Sequence, residues 1–135
     1  MSNFKILKHA YAHKPSEGLV IVEIDGKKST TTRDFFRQIS KPLHFPEYFG
    51  ENMDALFDLL CDLSWMDDFK AIHFVLKSYD DFLSKEDKNT RWDILHILND
   101  AATEWKNLKG RKKVKVEIHV EPSERVVKDL ADAEL

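Results

Sequence analysis

Three apolar stretches of the sequence predict β-strands. Residues 19–24 (LVIVEI) form an almost continuous apolar and β-branched run, which is typical of a strand buried on both faces. Residues 71–76 (AIHFVL) predict a second strand. Residues 114–120 (VKVEIHV) alternate strictly between apolar and polar, which is typical of a half-exposed edge strand. Because the first stretch is the most uniformly apolar, we expect it at the centre of the sheet, with the other two strands on either side.

Helical patterns separate these strands. Thr31 and Asp34 have the spacing of an N-terminal cap, and a short helix with several apolar positions follows them. A second helix is predicted from about residue 52 to residue 63. A long helix is predicted over residues 90–108, where apolar side chains recur at helical spacing until Gly110 ends the pattern.

The order of these elements predicts an α/β fold. Strands that alternate with helices favour a parallel sheet covered by helices, here a three-stranded sheet with the first strand central. The chain has 135 residues, the size of one domain with a single core. Residues 1–16 and 122–135 are interpreted as N- and C-terminal extensions of that domain, the second of which could form a frayed or docked helix.

The charges are distributed unevenly along the chain. Residues 42–69 contain seven acidic side chains and no Lys or Arg, whereas the rest of the chain has 17 acidic and 21 basic residues. A concentrated negative field attracts cationic partners and repels nucleic acid. The overall net charge of −3 hides this contrast.

Four of these acids are expected on one side of the second helix. Glu51, Asp54, Asp58 and Asp62 fall within an arc of about 80° at 100° per residue, opposite the apolar positions of the same helix. Like charges three or four residues apart destabilise a helix by a few tenths of a kcal/mol per pair. A solvated helix face would be more stable with mixed charges, so we favour a binding surface for a cationic partner.

Catalytic and metal-binding interpretations of this stripe are weaker. Side chains one turn apart on an exposed helix converge on no pocket, and nothing nearby would separate the pKa values of Asp54 and Asp58. Oxygen ligands from one straight stripe cannot surround a cation. His9 and His13 are four residues apart but lack a third ligand. We therefore expect no enzyme activity, no metal and no cofactor.

Two further features indicate the cellular setting. Cys61 is the single cysteine, which excludes an internal disulfide and fits a reducing compartment. No apolar run is long enough for a signal peptide or a membrane span, so we expect a cytoplasmic protein. The basic residues at 109–115 lack interleaved aromatic side chains, and we interpret them as protection of an edge strand rather than an RNA site.

Residues 45–58 (FPEYFGENMDALFD) closely resemble the signature of the barstar family, the intracellular inhibitors of barnase-type ribonucleases. The order of elements also resembles that fold. Members of the family insert the acidic helix and the preceding loop into the ribonuclease active site, where carboxylates occupy the positions of RNA phosphates. The resemblance covers about residues 20–120.

The resemblance also implies roles for individual residues. Asp58 would be the central anchor, meeting the catalytic Arg and His residues of the enzyme, and Asp54 would pair with a neighbouring basic group. Tyr48 would be an aromatic contact in the loop, and Gly50 would allow a close backbone approach. The remaining partner-binding candidates are Glu51, Phe57 (where a tryptophan is familiar in the family), Asp62 and, on the long helix, Asp100.

The sequence therefore predicts a ribonuclease inhibitor, an immunity protein that blocks a cognate nuclease toxin as a monomer in a 1:1 complex. The alternative is a module that uses the same acidic helix on a basic partner other than a nuclease. A carboxylate-dependent hydrolase is a third and weaker alternative.

Overall fold

Four parallel strands form the sheet in the computed structural model, which describes residues 2–46, 52–66, 68–107 and 114–135. Their spatial order is β1-β4-β3-β2. The strands are β1 (Phe4–Ile6), β2 (Leu19–Asp25), β3 (Ala71–Lys77) and β4 (Lys115–Val120). The helices are α1 (Thr32–Ser40), α2 (Met53–Asp62), α3 (Lys88–Asn107) and α4 (Glu124–Asp132), and short 3-10 turns lie at Gly26–Lys28 and Tyr79–Asp81. The α/β class with a parallel sheet and helices is confirmed.

The expected place of the first strand is wrong. β2 lies at one edge of the sheet, and β3 and β4 occupy the centre. β4 pairs with β3 and, over Ile118–Val120, with β1, so the third predicted strand is not an edge strand there. The sheet has four strands rather than three, because Phe4–Ile6 adds to β4. The apolar residues of β2 predicted a central position in the sheet. Ile21 instead lines a groove with Tyr11 and Pro15 of the N-terminal segment.

The two faces of the sheet have different surroundings. Even-numbered strand residues such as Val22, Phe74 and Ile118 are buried in one core together with the apolar side chains of all four helices. Odd-numbered residues, among them His73 and Glu117, lie on the opposite face, because side chains alternate along a strand. We call this second side the outer face. It is bordered by the segment that contains Tyr11.

The N- and C-terminal segments of the chain are held in the fold by specific contacts. Asn3 donates its backbone N–H to Asn99 Oδ1 at 2.8 Å and its side-chain amide to Asn99 O at 3.0 Å, which links the start of β1 to α3. Ser123 caps α4 by accepting the N–H of Val126 at 3.1 Å. Val126 is fully buried in the common core.

A buried ion pair joins α4 to α3. Asp129 is 4% exposed, and its Oδ2 accepts hydrogen bonds from Arg91 Nε and from the Tyr79 hydroxyl, both at 2.8 Å. Its Oδ1 accepts from Arg91 Nη2 at 3.1 Å and from Trp92 Nε1 at 3.3 Å. Burial is the largest influence on the pKa of Asp129 and raises it, but these hydrogen bonds together outweigh burial and hold the pKa below its ordinary value.

We predict that Asp129→Ala lowers the free energy of unfolding at pH 7 by about 3–5 kcal/mol, because Arg91 is left buried without a counter-charge. Denaturant titration followed by circular dichroism measures this. Asp132→Ala is the matched control on the same helix. Asp132 forms an exposed ion pair with Lys128 at 3.4 Å, so its loss should change stability by at most about 0.5 kcal/mol.

Wild type and Asp129→Ala also give a test of how the ion pair depends on pH. A folded-state pKa below the unfolded value contributes stability above about pH 4, and that contribution is lost as the pH falls through the folded pKa. The stability difference between wild type and Asp129→Ala should therefore narrow in acid. A difference that is below 1 kcal/mol at pH 7, or equally large at pH 2, would contradict the ion-pair interpretation.

Candidate functional site: an acidic face on two helices

Helix α2 has one buried side and one acidic side. Leu56, Leu59 and Leu60 are buried in the core, whereas Asp54 and Asp58 are exposed. Apolar residues at this spacing turn one stripe of the helix to the sheet, so the carboxylates on the other stripe must face solvent. The helix thus presents Asp54 and Asp58 one turn apart on a rigid element.

Both ends of α2 are fixed by local contacts. Asn52 Oδ1 accepts the N–H of Ala55 at 2.8 Å, which is a typical N-cap. At the other end Leu63 adopts a left-handed conformation with φ of 51°, which a branched side chain rarely does. Its side chain is 2% exposed, so packing in the core holds this conformation. The helix observed over Met53–Asp62 confirms the predicted one.

Asp62 differs from the other two aspartates. It is half-buried at the last turn of α2, and its Oδ1 accepts the N–H of Ser64 at 3.3 Å. One carboxylate oxygen is therefore used to stabilise the turn after the helix. Asp62 continues the acidic stripe with a smaller exposed charge.

Helix α3 adds a second row of acids. Asp100 and Glu104 are exposed and lie, with Asp93, within an arc of about 40° on that helix. Trp105 Nε1 donates to Leu60 O at 2.8 Å, so α3 packs directly against α2. Glu104 was not selected from the sequence, although its spacing of four residues from Asp100 was the available signal. We call Asp54, Asp58, Asp62, Asp100 and Glu104 the acidic face.

Cys61 shows that the two rows lie close together. Burial, followed by the charges of Glu104, Asp58 and Asp100, raises the pKa of this thiol to about 11. A thiol on α2 that responds to carboxylates of both helices lies between the two rows. The raised pKa keeps the thiol protonated, and hence a poor nucleophile, at neutral pH.

The acidic face has no internal counter-charge in the described part of the chain. None of its five carboxylates forms an ion pair with a described Lys, Arg or His. These carboxylates have no acid–base partner beside them, and among the described residues no three of them lie close enough together to hold a metal ion. They can, however, meet several cationic groups of a protein partner at once.

The other candidates from the sequence are placed as follows. Phe57 is half-buried against the core, so only part of its ring is open to a partner. Trp65, which was not a candidate from the sequence, donates its Nε1 to Leu43 O at 2.9 Å and contacts Phe45 edge-on, with ring centroids 6.2 Å apart. Tyr48, Gly50 and Glu51 lie outside the described residues.

We predict that Cys61 reacts with iodoacetamide at pH 8.5 more slowly than an ordinary thiol, whose pKa is about 8.5, because little thiolate is present. Glu104→Gln should react faster than wild type, since it removes the strongest of the three charges that raise the pKa. Glu23→Gln, on the outer face of the sheet, is the matched control and should leave the rate unchanged. Equal rates for Glu104→Gln and wild type would place Glu104 away from Cys61.

A comparison with protein-family models finds one family that matches most of the chain. The family model for barstar, described as barnase inhibitor, matches residues 19–121, which span β2 to β4 and both helices of the acidic face. Strand β1 and helix α4 lie outside the matched range. The search of curated proteins found no match. No described helix is both long and apolar enough to cross a membrane. Because the match covers most of its length, the chain belongs to the barstar family of barnase-type ribonuclease inhibitors.

Proposed function

We propose that this protein inhibits its ribonuclease by placing the acidic face in the positively charged active site of the enzyme. The family consists of inhibitors rather than enzymes. The observation that supports the mode of binding is a set of exposed like-charged carboxylates, without ion-pair partners among the described residues, on two helices packed together. Like charges placed close together lower the stability of the free protein. Binding to a cationic partner, which would neutralise them, explains why the protein has such an arrangement.

The chemistry of RNA cleavage explains why carboxylates would work. A ribonuclease stabilises a phosphorane-like transition state with cationic side chains arranged in advance. Carboxylates fixed on helices can satisfy those charges and offer no bond to cleave. The long-range field speeds the encounter, and charge pairs desolvated in the complex slow dissociation.

Individual residues have distinct roles in this proposal. Asp58, near the middle of α2, is the anchor among the catalytic cations, and Asp54 binds a neighbouring basic group. Asp100 and Glu104 extend the contact from α3, and Asp62 and Phe57 contribute at its border. Tyr48, Gly50 and Glu51 supply the loop before α2.

The biological role we propose is immunity. The protein would remain in the cytoplasm as a monomer, form a 1:1 complex and protect the cell from a nuclease toxin. Stoichiometric inhibition suits that task, because every active toxin molecule must be blocked.

We predict that Asp58→Lys raises the inhibition constant for a barnase-type ribonuclease by a factor between about 30 and several thousand. This range corresponds to the loss of about 2–5 kcal/mol when one partner of a desolvated charge pair is removed, and it is a lower bound because the lysine also repels the cations of the enzyme. Inhibition constants from RNA hydrolysis assays give the measurement. Glu23→Lys makes the same charge change on the outer face of the sheet and should inhibit as wild type does.

Circular dichroism and thermal melting must first show that both variants fold. Folded Asp58→Lys that still inhibits as wild type does would exclude Asp58 as the anchor. Inhibition lost equally in Glu23→Lys would indicate a nonspecific charge effect. If wild type inhibits no ribonuclease of this type but binds another basic protein, the alternative binding module would replace the proposal.

The second row of acids has its own test. The double variant Asp100→Asn/Glu104→Gln should lower the association rate constant several-fold and weaken its dependence on salt, because charges at an interface border act mainly on encounter. Stopped-flow binding at two ionic strengths measures both effects, and Asp34→Asn on α1 is the control. An unchanged association rate would restrict the interface to α2.

A further inference from the structure

Three side chains that can bind a metal lie together on the outer face of the sheet. His73 on β3 is the direct cross-strand neighbour of Glu117 on β4, and His119 follows two residues later on the same side. One potential ligand atom from each of the three residues lies within 4.8 Å of the others. None of these residues belongs to the acidic face.

Both ring nitrogens of His73 have hydrogen-bond partners. The neutral ring donates from Nε2 to Glu117 Oε2 at 2.8 Å, and its Nδ1 accepts from the Tyr11 hydroxyl at 2.7 Å. His73 is 4% exposed. A purely structural network would explain this residue completely.

His119 is not explained in that way. It is 7% exposed, and neither of its ring nitrogens has a hydrogen-bond partner among the described residues. A buried polar group without a partner costs about 1–3 kcal/mol. Its ring centroid lies 5.1 Å from that of His73, and among the described residues His119, His73 and Glu117 form the one group of three side chains close enough to share a metal ion.

We propose that His73, Glu117 and His119 bind one divalent transition-metal ion of the zinc class. Two imidazoles and one carboxylate are a typical zinc ligand set, and ligand atoms around a tetrahedral zinc lie about 3.3 Å apart. The 2.8 Å contact between His73 Nε2 and Glu117 Oε2 is shorter than that separation and the 4.8 Å limit for the three ligand atoms is longer, so binding requires side-chain rotation within the cluster. The exposed ring of His13 lies near the cluster, with its centroid 4.8 Å from that of His73.

The protonation states favour binding. Burial is the main cause that lowers the pKa values of His73 and His119, so both rings are neutral at pH 7. The pKa of Glu117 is also lowered: burial acts in the opposite direction, but the hydrogen bond and charge of Lys5, together with His73, outweigh it. Metal ligands must be unprotonated, so these three groups need to release no proton to solvent.

Tyr11 would then fix the orientation of the His73 ring. If the metal occupies His73 Nε2, the ring proton moves to Nδ1, which donates to the Tyr11 oxygen already 2.7 Å away. A ligating histidine usually donates its second nitrogen in this manner, which fixes the ring. Lys5, on an exposed side chain, binds Glu117 through Oε1 and leaves Oε2 as the oxygen nearer the site.

The test uses the untagged full-length protein after treatment with EDTA. Titration with zinc chloride in a calorimeter should show uptake of one ion per chain, and Co²⁺ should give the intense visible absorption of a tetrahedral site. His119→Gln should lower zinc affinity at least about 100-fold, the upper end of what loss of even an outer-shell partner does to a metal site. His96→Gln removes a half-buried imidazole of α3 and should bind zinc as wild type does.

The folding of the variants is checked by circular dichroism, and a second measurement does not depend on them. In wild type, zinc should shift the NMR imidazole resonances of His73 and His119 and leave those of His44 and His96 in place. Absence of stoichiometric uptake overturns the proposal. It is also overturned if folded His119→Gln binds as tightly as wild type, or if only the exposed histidines respond.

Discussion

The parallel pairing of β3 with β4 is the constraint on which the rest of this structure depends. Its register decides which side chains enter the core and which reach the outer face, because one residue of slip would exchange the two sets. In the observed register Phe74 and Ile118 meet the helices, while His73 and Glu117 meet each other on the far side. The core then anchors α2 and α3 by their apolar stripes, which leaves the carboxylates of both helices in solvent. The acidic face is thus a consequence of how the sheet is covered.

The like charges of the acidic face lower the stability of the helices that carry them. Asp54 benefits from the N-terminus of α2, but Asp62 lies at the unfavourable end of that helix dipole, and α2 has no basic residue in its last turn. Packing compensates for this repulsion. Leu63 and Trp105 fix the end of α2 and its contact with α3, so the like charges cannot separate by fraying or sliding. A rigid arrangement of charges that do not relax in the free protein is what complementarity to a preformed cationic cleft requires.

Short-range patterns predicted much of this fold, and long-range contacts account for what they missed. The cap at Thr31 and the periodicity of α2 and α3 are local, so the sequence alone located those elements. Strand order is not local: Val22 and Ile24 of β2 are buried in the core and Ile21 lines a groove beside the N-terminal segment, so an edge strand has the apolar run that predicted the centre. β1 is only three residues long and pairs with a strand more than a hundred residues away, which no pattern within it could reveal. The row of Asp54 and Asp58 followed from helical spacing, whereas Glu104 and the cluster around His119 became evident only once separate elements were brought together.

The two faces of the sheet are suited to independent control. The acidic face lies on the helices, and the His73–Glu117–His119 cluster lies on the opposite side of β3 and β4. An ion in that cluster would stabilise the folded state by mass action, because the unfolded chain does not hold the three ligands together. It would change affinity at the acidic face only if it favoured one of two conformations of the helices, and a ligand without such a preference shifts no equilibrium between them. Since β3 is paired with a strand on each side and the core is continuous, we expect a bound metal to increase the folded population while the intrinsic affinity for the ribonuclease stays the same.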